Sequence, residues 1–253
     1  NPDFIMAASI SEAAKEAGCS EPTFVRLAQK IGLEGFAELK MCIKNNSENE
    51  DYPKREYSNI STHDSMQEIT SKVFETCVNA ISDTFKLFDT NAYEQAIHIL
   101  DKANKVLFAG LGDSFRVADL AKCKFLRIGL QCYSTNDVDE MLMFSAKFSK
   151  NDALVLISHS GQTIPLLRAA KAAKAAGAKV IVITNFPLSH LGRNSDIQLL
   201  TSAFQESSNG EVMAKRIAQL AIIESLYANT LMRDPKRITT LQKSDKSVSI
   251  NKL

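Results

Sequence analysis

The residues best suited to chemistry fall in one stretch, Asp152 to Thr163, which reads D-A-L-V-L-I-S-H-S-G-Q-T. Its second half sets Ser158, Ser160 and Thr163 among His159, Gly161 and Gln162. Hydroxyls combined with the backbone N–H groups of a helix start suit an anion such as phosphate. The elements that must position them can be read on either side. Ala153 to Ile157 is an unbroken apolar run, the pattern of a strand buried on both faces. Ile164 to Ala176, rich in Ala, Leu and Lys, reads as a helix. The hydroxyls therefore sit at the carboxyl end of a buried strand where a helix begins, the place where open α/β sheets bind ligands. An ordinary helix cap is the competing account. It needs one Ser or Thr, and three are present.

A second loop has the same placement. The apolar run Val106 to Ala109 ends in Gly110-Leu111-Gly112-Asp113-Ser114. Phe115 stands where a dinucleotide fingerprint would put its third glycine, so an oxidoreductase reading is weak. A second anion loop, with Ser114 beside the ligand, fits better. Both strands would aim their carboxyl ends at one crevice. Among the histidines, His63 and His98 read as structural, whereas His159 and His190 could contact a ligand. Glu206 and Glu211, before the last helix, could bind sugar hydroxyls or act as a base, or could complement the helix dipole. The five cysteines are scattered and form no C-x-x-C pair or Cys/His cluster, so neither a metal nor a cofactor is expected.

From Lys105 onward strands and helices alternate, which predicts an α/β fold: a five-stranded parallel sheet flanked by helices. The expected strands are Val106–Ala109, Gln131–Tyr133, Ala153–Ile157, Val180–Ile183 and Ile197–Leu200. Two helices should precede the sheet, Ser65–Phe88 and Asn91–Ala103. The first is amphipathic, with Ile69, Val73, Cys77, Ile81, Phe85 and Phe88 near one stripe. A long helix, Glu211–Leu231, should close it, and its Ile217, Leu220, Ala221 and Leu226 could join that stripe in an interface. Residues 234–253 are polar and read as a frayed or docked tail.

Residues 45–64 are polar and read as a linker. Residues 1–44 read as a small all-α unit. Helical spacing runs over Ser9–Ala17, and a turn at Gly18 leads to a helix capped by Ser20, with Phe24, Leu27, Ala28 and Ile31 on one face. Phe36 to Lys44 can form a third helix. Two helices joined by a short Gly-containing turn are the helix-turn-helix arrangement, and Ser20, Thr23, Arg26, Gln29 and Lys30 are the residues placed to face DNA. The unit carries five basic and six acidic residues, so no broad basic surface supports this, and a plain helical hairpin is the alternative. A helix normally precedes such a motif, and only Asn1 to Ala8 stand before it here, so the unit is expected to lack its first helix, which would lie in sequence upstream of Asn1, unless the motif is not a helix-turn-helix.

At 253 residues, 45% hydrophobic and 23% charged, the composition is that of a soluble globular protein of one large or two modest domains. A net charge of +1 gives no bulk attraction to nucleic acid. No apolar run approaches a membrane span and no signal peptide is visible, so a cytoplasmic protein with reduced thiols and no membrane partner is expected.

These motifs carry a family resemblance. Ser158-x-Ser160-Gly161-x-Thr163 resembles the phosphosugar loop of SIS (sugar isomerase) domains. With C-S-E-P-T-F-V-R-L-A-Q-K-I-G-L-E-G-F-A-E-L-K near the start, Gly110-x-Gly112-x-Ser114, Lys124-Phe125-Leu126-Arg127-Ile128-Gly129 and Arg216-Ile217-Ala218-Gln219-Leu220, the chain is similar to the RpiR family of bacterial transcription regulators. The resemblance implies a helix-turn-helix over 1–44, a SIS domain over 65–253, and a phosphate held by Ser158, Ser160 and Thr163, with Ser114 and Glu206 at the sugar. It further implies a homodimer, expected to be a repressor, that reads operator DNA and senses a sugar phosphate. Likeness to regulators of sialic-acid breakdown points to N-acetylmannosamine 6-phosphate. The alternative is a phosphosugar isomerase, for which Glu206, Glu211, His159 and His190 are the candidate bases. A helix-turn-helix has no role in such an enzyme.

Overall fold

A computed structural model describes residues 4–5, 8–30, 35–37, 39–40, 60–202 and 213–249. The described residues fall in two compact units, 4–40 and 60–249.

The first unit is built on α1 (Ile10–Glu16) and α2 (Glu21–Lys30). The Ser9 hydroxyl accepts from the Glu12 N–H, and the Glu12 carboxylate accepts from the Ser9 N–H at 2.7 Å, a reciprocal cap that fixes where α1 begins. Before α1, Phe4 and Ile5 are helical and Ala8 donates to the Phe4 carbonyl at 2.8 Å. Ala13, Ala14 and Ala28 are buried, and Phe24 meets Phe36 edge-on at 5.5 Å. Leu27 departs from its expected place and is 50% exposed. At about 100° per residue it lies well round the helix from the face that Phe24 and Ala28 share. Of the third helix, residues 36–37 and 39–40 are helical. Its remainder, Ile31 and most of the linker lie outside the described residues.

In the second unit α3 (Met66–Lys86) and α4 (Thr90–Lys102) lead into β1 (Lys105–Ala109), α5 (Asp113–Arg127), β2 (Cys132–Thr135), α6 (Val138–Ala146) and β3 (Asp152–Ile157). Then follow α7 (Ile164–Ala175), β4 (Lys179–Thr184), α8 (His190–Asn194), β5 (Ile197–Leu200), α9 (Met213–Met232) and α10 (Pro235–Ser249). The five strands form one sheet in the order β2-β1-β3-β4-β5, every pairing parallel. Alternate side chains serve opposite layers. Phe108, Val155 and Ile181 pack with Leu100, Phe125 and Leu226 on the side of α4, α5 and α9. Leu107, Leu154 and Val182 pack with Met141, Leu166 and Ala170 on the side of α6 and α7. Every residue of β3 is buried, as its uninterrupted apolar run requires.

Two features differ from the periodicity reading, and of the two readings left for the tail the docked one is found. The long helix α3 has two apolar faces rather than one. Ala80 and the half-buried Cys77 pack on Ala214 and Ala218 of α9, while Phe74, Val78, Ile81 and Phe85 are exposed. Leu226, expected at an interface, is wholly buried in the sheet core. The polar tail is a docked helix: Arg237 pairs with Asp101 at 2.7 Å and donates to the Thr230 carbonyl, Arg127 pairs with Asp245, and Ser244 donates to the Arg127 carbonyl. These bonds are polar and between residues far apart in the chain, so hydrophobic spacing carries no trace of them.

The order 2-1-3-4-5 reverses direction between β1 and β3, and α5 and α7 therefore leave the sheet on opposite sides. A crevice opens where they part. Gly110 lets the end of β1 approach α5 closely beside it: a Cβ there would lie 2.8 Å from the backbone carbon and oxygen of Ser114. Gly110→Ala is expected to push the first turn of α5 outward and to cost about 1–3 kcal/mol, read as a lowered denaturation midpoint against the parent chain.

Candidate functional site

The crevice holds a cavity of about 250 Å3, lined by Ser114, Ser158, His159, Ser160 and Thr163 over an apolar floor of Leu111, Ile157 and Leu166. The two loops singled out from the sequence thus meet at one place. The register explains why. Ala109 lies opposite Leu156, so β1 and β3 end side by side.

The loop after β3 is built by its own small residues. The Ser158 hydroxyl accepts from the Gly161 N–H at 3.2 Å and lies 3.3 Å from the Thr163 hydroxyl. The Ser160 hydroxyl accepts from the Gln162 N–H at 3.3 Å. Thr163 occupies the cap position of α7, yet its hydroxyl makes no capping bond. Thr163 lines the cavity, so the ordinary-cap account does not describe its hydroxyl, whereas Ser158 and Ser160 each accept from a loop N–H. In the first turn of α7 the N–H groups of Ile164 and Leu166 lie outside the helix ladder, Pro165 having none, and the helix dipole adds about half a positive charge there.

Gly161 and Gln162 shape the loop without lining the cavity. Gly161 takes φ +62, and a Cβ on it would lie 2.0 Å from the Ser189 hydroxyl. The carbonyl of Gly161 accepts from the Leu191 N–H, and that of His159 accepts from the Asn185 N–H and the Thr184 hydroxyl. The end of β4 and the start of α8 therefore brace the loop from behind. Gln162 is exposed, as is His190, which opens α8 away from the cavity. Glu206 and Glu211 lie outside the described residues.

Sequence reasoning missed two residues that line the cavity, Lys215 and Arg216, on the first turn of α9. Arg216 donates to the Ser114 hydroxyl at 2.9 Å and to the Gln219 side-chain oxygen at 2.8 Å. Nothing in their spacing points to the crevice. The signal available was the Arg216-to-Leu220 run, noted as part of a resemblance and given no role. Their charge is felt at His159. Burial first, then Lys215 and Arg216, bring its pKa down to about 4. Its Nδ1 is buried without a hydrogen-bond partner, and its ring meets Phe186 edge-on at 5.7 Å. The cavity thus joins neutral hydroxyl donors, a neutral imidazole and two cations, a set that fits a small anion carrying further hydroxyls. Among the described residues no cluster of His, Cys, Asp and Glu could hold a metal, and no helix is long and apolar enough to cross a membrane.

In the first unit Thr23, Arg26 and Gln29 are exposed on α2, and Ser20 lies just before it, its hydroxyl 2.9 Å from that of Thr23. Lys30 ends α2, and its side chain lies outside the described residues.

Known proteins match this architecture along the whole chain. The SIS domain family matches residues 99–229, and the helix-turn-helix domain of the rpiR family matches residues 1–50. An HTH-type transcriptional regulator of Thermotoga maritima is 34% identical over 98% of this chain and 89% of its own length. The HTH-type transcriptional regulator HexR of Escherichia coli is 30% identical over 92% of this chain and 80% of its own. The solved structure of the Vibrio vulnificus NanR protein complexed with ManNAc-6P shares the fold, with a TM-score of 0.72 at 22% identity over 98% of this chain and 88% of that one. The chain belongs to the RpiR family of HTH-type transcriptional regulators, in which a SIS domain follows the helix-turn-helix.

Proposed function

We propose that this regulator reads operator DNA as a homodimer and is controlled by a sugar phosphate held in the β1/β3 crevice, with Ser158, Ser160 and Thr163 on the phosphate. The observation that carries the reading is the uncapped Thr163 hydroxyl, facing the same cavity as Ser158, Ser160, Lys215 and Arg216. Ser114, across the cavity, is placed for the sugar. N-acetylmannosamine 6-phosphate is the first ligand to try, because the NanR protein of similar fold is complexed with it, and repression is the expected sense of control.

The dimer reading rests on α3. Phe74, Val78, Ile81 and Phe85 recur at four-, three- and four-residue intervals, one continuous helical stripe, and Phe74 and Phe85 are 70% and 74% exposed. A second copy would cover it, and a two-fold pair of helix-turn-helix units matches a palindromic operator.

An isomerase would need a base at the sugar's C2. Among the described candidates, His190 lies outside the cavity and His159, with a pKa of about 4, holds a proton weakly at neutral pH. Hydroxyls at ordinary pKa are poor proton-transfer groups, so the described cavity is better furnished for sensing than for turnover.

Two outcomes test this reading, and a third tests the electrostatics of the cavity. Ser160→Ala removes one hydrogen bond to a charged group, a loss of about 1.5–3 kcal/mol, so calorimetry with N-acetylmannosamine 6-phosphate and a panel of hexose 6-phosphates should show affinity reduced roughly ten- to a hundredfold. Unchanged affinity would remove Ser160 from the site. Arg26→Ala is expected to weaken operator binding in a gel-shift titration while leaving sugar-phosphate affinity at the parent value; equal operator binding would exclude Arg26. The third concerns pH. The folded pKa of His159 lies below its ordinary 6.5, so the stability tied to its neutral form is whole above pH 6.5 and is lost as pH falls towards about 4. Denaturant titrations across that window should show a steeper loss in the parent than in His159→Gln.

A further inference from the structure

Arg216 lies where the cavity, α5 and α9 meet. One guanidinium nitrogen serves two acceptors: the Ser114 hydroxyl on α5 at 2.9 Å and the Gln219 oxygen, one turn along α9, at 2.8 Å. Gln219 is wholly buried, and its side-chain nitrogen has no hydrogen-bond partner. Arg216 therefore ties the first turn of α9 to the first turn of α5, just past β1, and it does so from the wall of the cavity.

A phosphate on the hydroxyl loop would lie across the same cavity from this guanidinium. Charge-assisted bonds from Arg to phosphate are roughly twice as strong as bonds to a neutral hydroxyl, so a dianion competes with Ser114 for Arg216. Whatever moves Arg216 acts on the start of α9, and that turn has a close neighbour. Ala214 and Ala218 pack against Ala80 of α3, with Cys77 beside them. Small side chains on both helices leave little slack between them, and packed interiors transmit a displacement rather than absorb it. Thr84, one turn further along α3, is buried and accepts from the Ser202 N–H at 3.0 Å just past β5. In the chain α3 is the helix that follows residues 45–64, the connection to the DNA-reading unit.

We propose that Arg216 is the positioning residue through which ligand occupancy is read: the ligand's phosphate draws the guanidinium from Ser114, and α9 passes the shift to α3 through the Ala214–Ala218–Ala80 contact. The proposal rests on the sugar-phosphate reading above. It assigns the Ser158-to-Thr163 loop to affinity and Arg216 to coupling.

The two roles separate in a linkage measurement. Calorimetry on the full chain gives the dissociation constant for N-acetylmannosamine 6-phosphate, or for whichever hexose 6-phosphate the parent binds, with and without an operator duplex selected from random sequence. The ratio of the two constants is the coupling factor, about 5–150 for a working regulator. A lowered affinity alone leaves that ratio unchanged. In the parent the ratio should differ from one by at least about fivefold. In Arg216→Gln it should fall to about one. Arg216→Lys keeps the charge but replaces the planar guanidinium with a compact ammonium on a flexible stem, which does not reproduce the position of the nitrogen that meets both Ser114 and Gln219, and it should lose most of the ratio. Ala80→Val, remote from the cavity, should reduce the ratio while affinity without DNA stays at the parent value, and it carries the test if Arg216→Gln melts too low. A parent-like ratio in folded Arg216→Gln, or in Ala80→Val should that variant fail to fold, overturns the proposal and leaves ligand control standing. A ratio of one in the parent, or no binding to any sugar phosphate on the panel, overturns ligand control itself and the proposal with it.

Discussion

Burial of β3 on both faces governs where this protein can do chemistry. A strand walled by α4, α5 and α9 on one side and by α6 and α7 on the other has no room for an unsatisfied polar group along its apolar run. Polar function is forced to its carboxyl end. The reversal of strand order beside it parts the flanking helices there, and the crevice opens at the centre of the sheet where those two facts meet. Gly110 and Gly161 then allow close approach of backbone at the two loops, one against the first turn of α5 and one against Ser189. The cavity is a consequence of how the layers pack rather than a feature added to them.

The electrostatics of the crevice divide by chain segment. The loop after β3 offers dipoles: hydroxyls, N–H groups and the start of α7. The charge comes from α9, far along the chain, through Lys215 and Arg216. Dipoles fixed on a rigid strand end place a ligand accurately. Charges on a helix that also packs elsewhere can be pulled. His159 sits between the two sets and stays neutral because it is buried and because both cations face it. Its neutrality spares the crevice a third positive charge that burial would make costly.

The helix α3 carries two incompatible demands on one cylinder. Its Ala80 and Cys77 face must be narrow, so that α9 can approach. Its Phe74-to-Phe85 stripe is broad and aromatic at both ends, with Phe85 stacked beside Phe88 at 6.0 Å. Small residues on one face and large ones on the other let the same helix pack tightly within the chain and still offer apolar surface outward.

The sequence by itself determined much of this protein. Hydrophobic period separated the buried strands from the helices, because a strand walled on both faces must be apolar throughout and a helix need be so on one face only. Local chemistry placed the hydroxyl loop and Gly110 to Ser114 at strand ends, because Gly, Ser and Thr there serve few other purposes. The tertiary structure alone decided what faces those loops. Lys215 and Arg216 belong to the crevice only because the first turn of α9 packs beside the loops after β1 and β3, a matter of packing between residues some sixty or a hundred positions apart. It also decided that Thr163 leaves its cap unmade, that Leu226 is core, and that the polar tail docks through Arg237 and Asp245. Periodicity records which side of an element is dry. It does not record which other element keeps it dry, and the long-range polar contacts that finish this site leave no period at all.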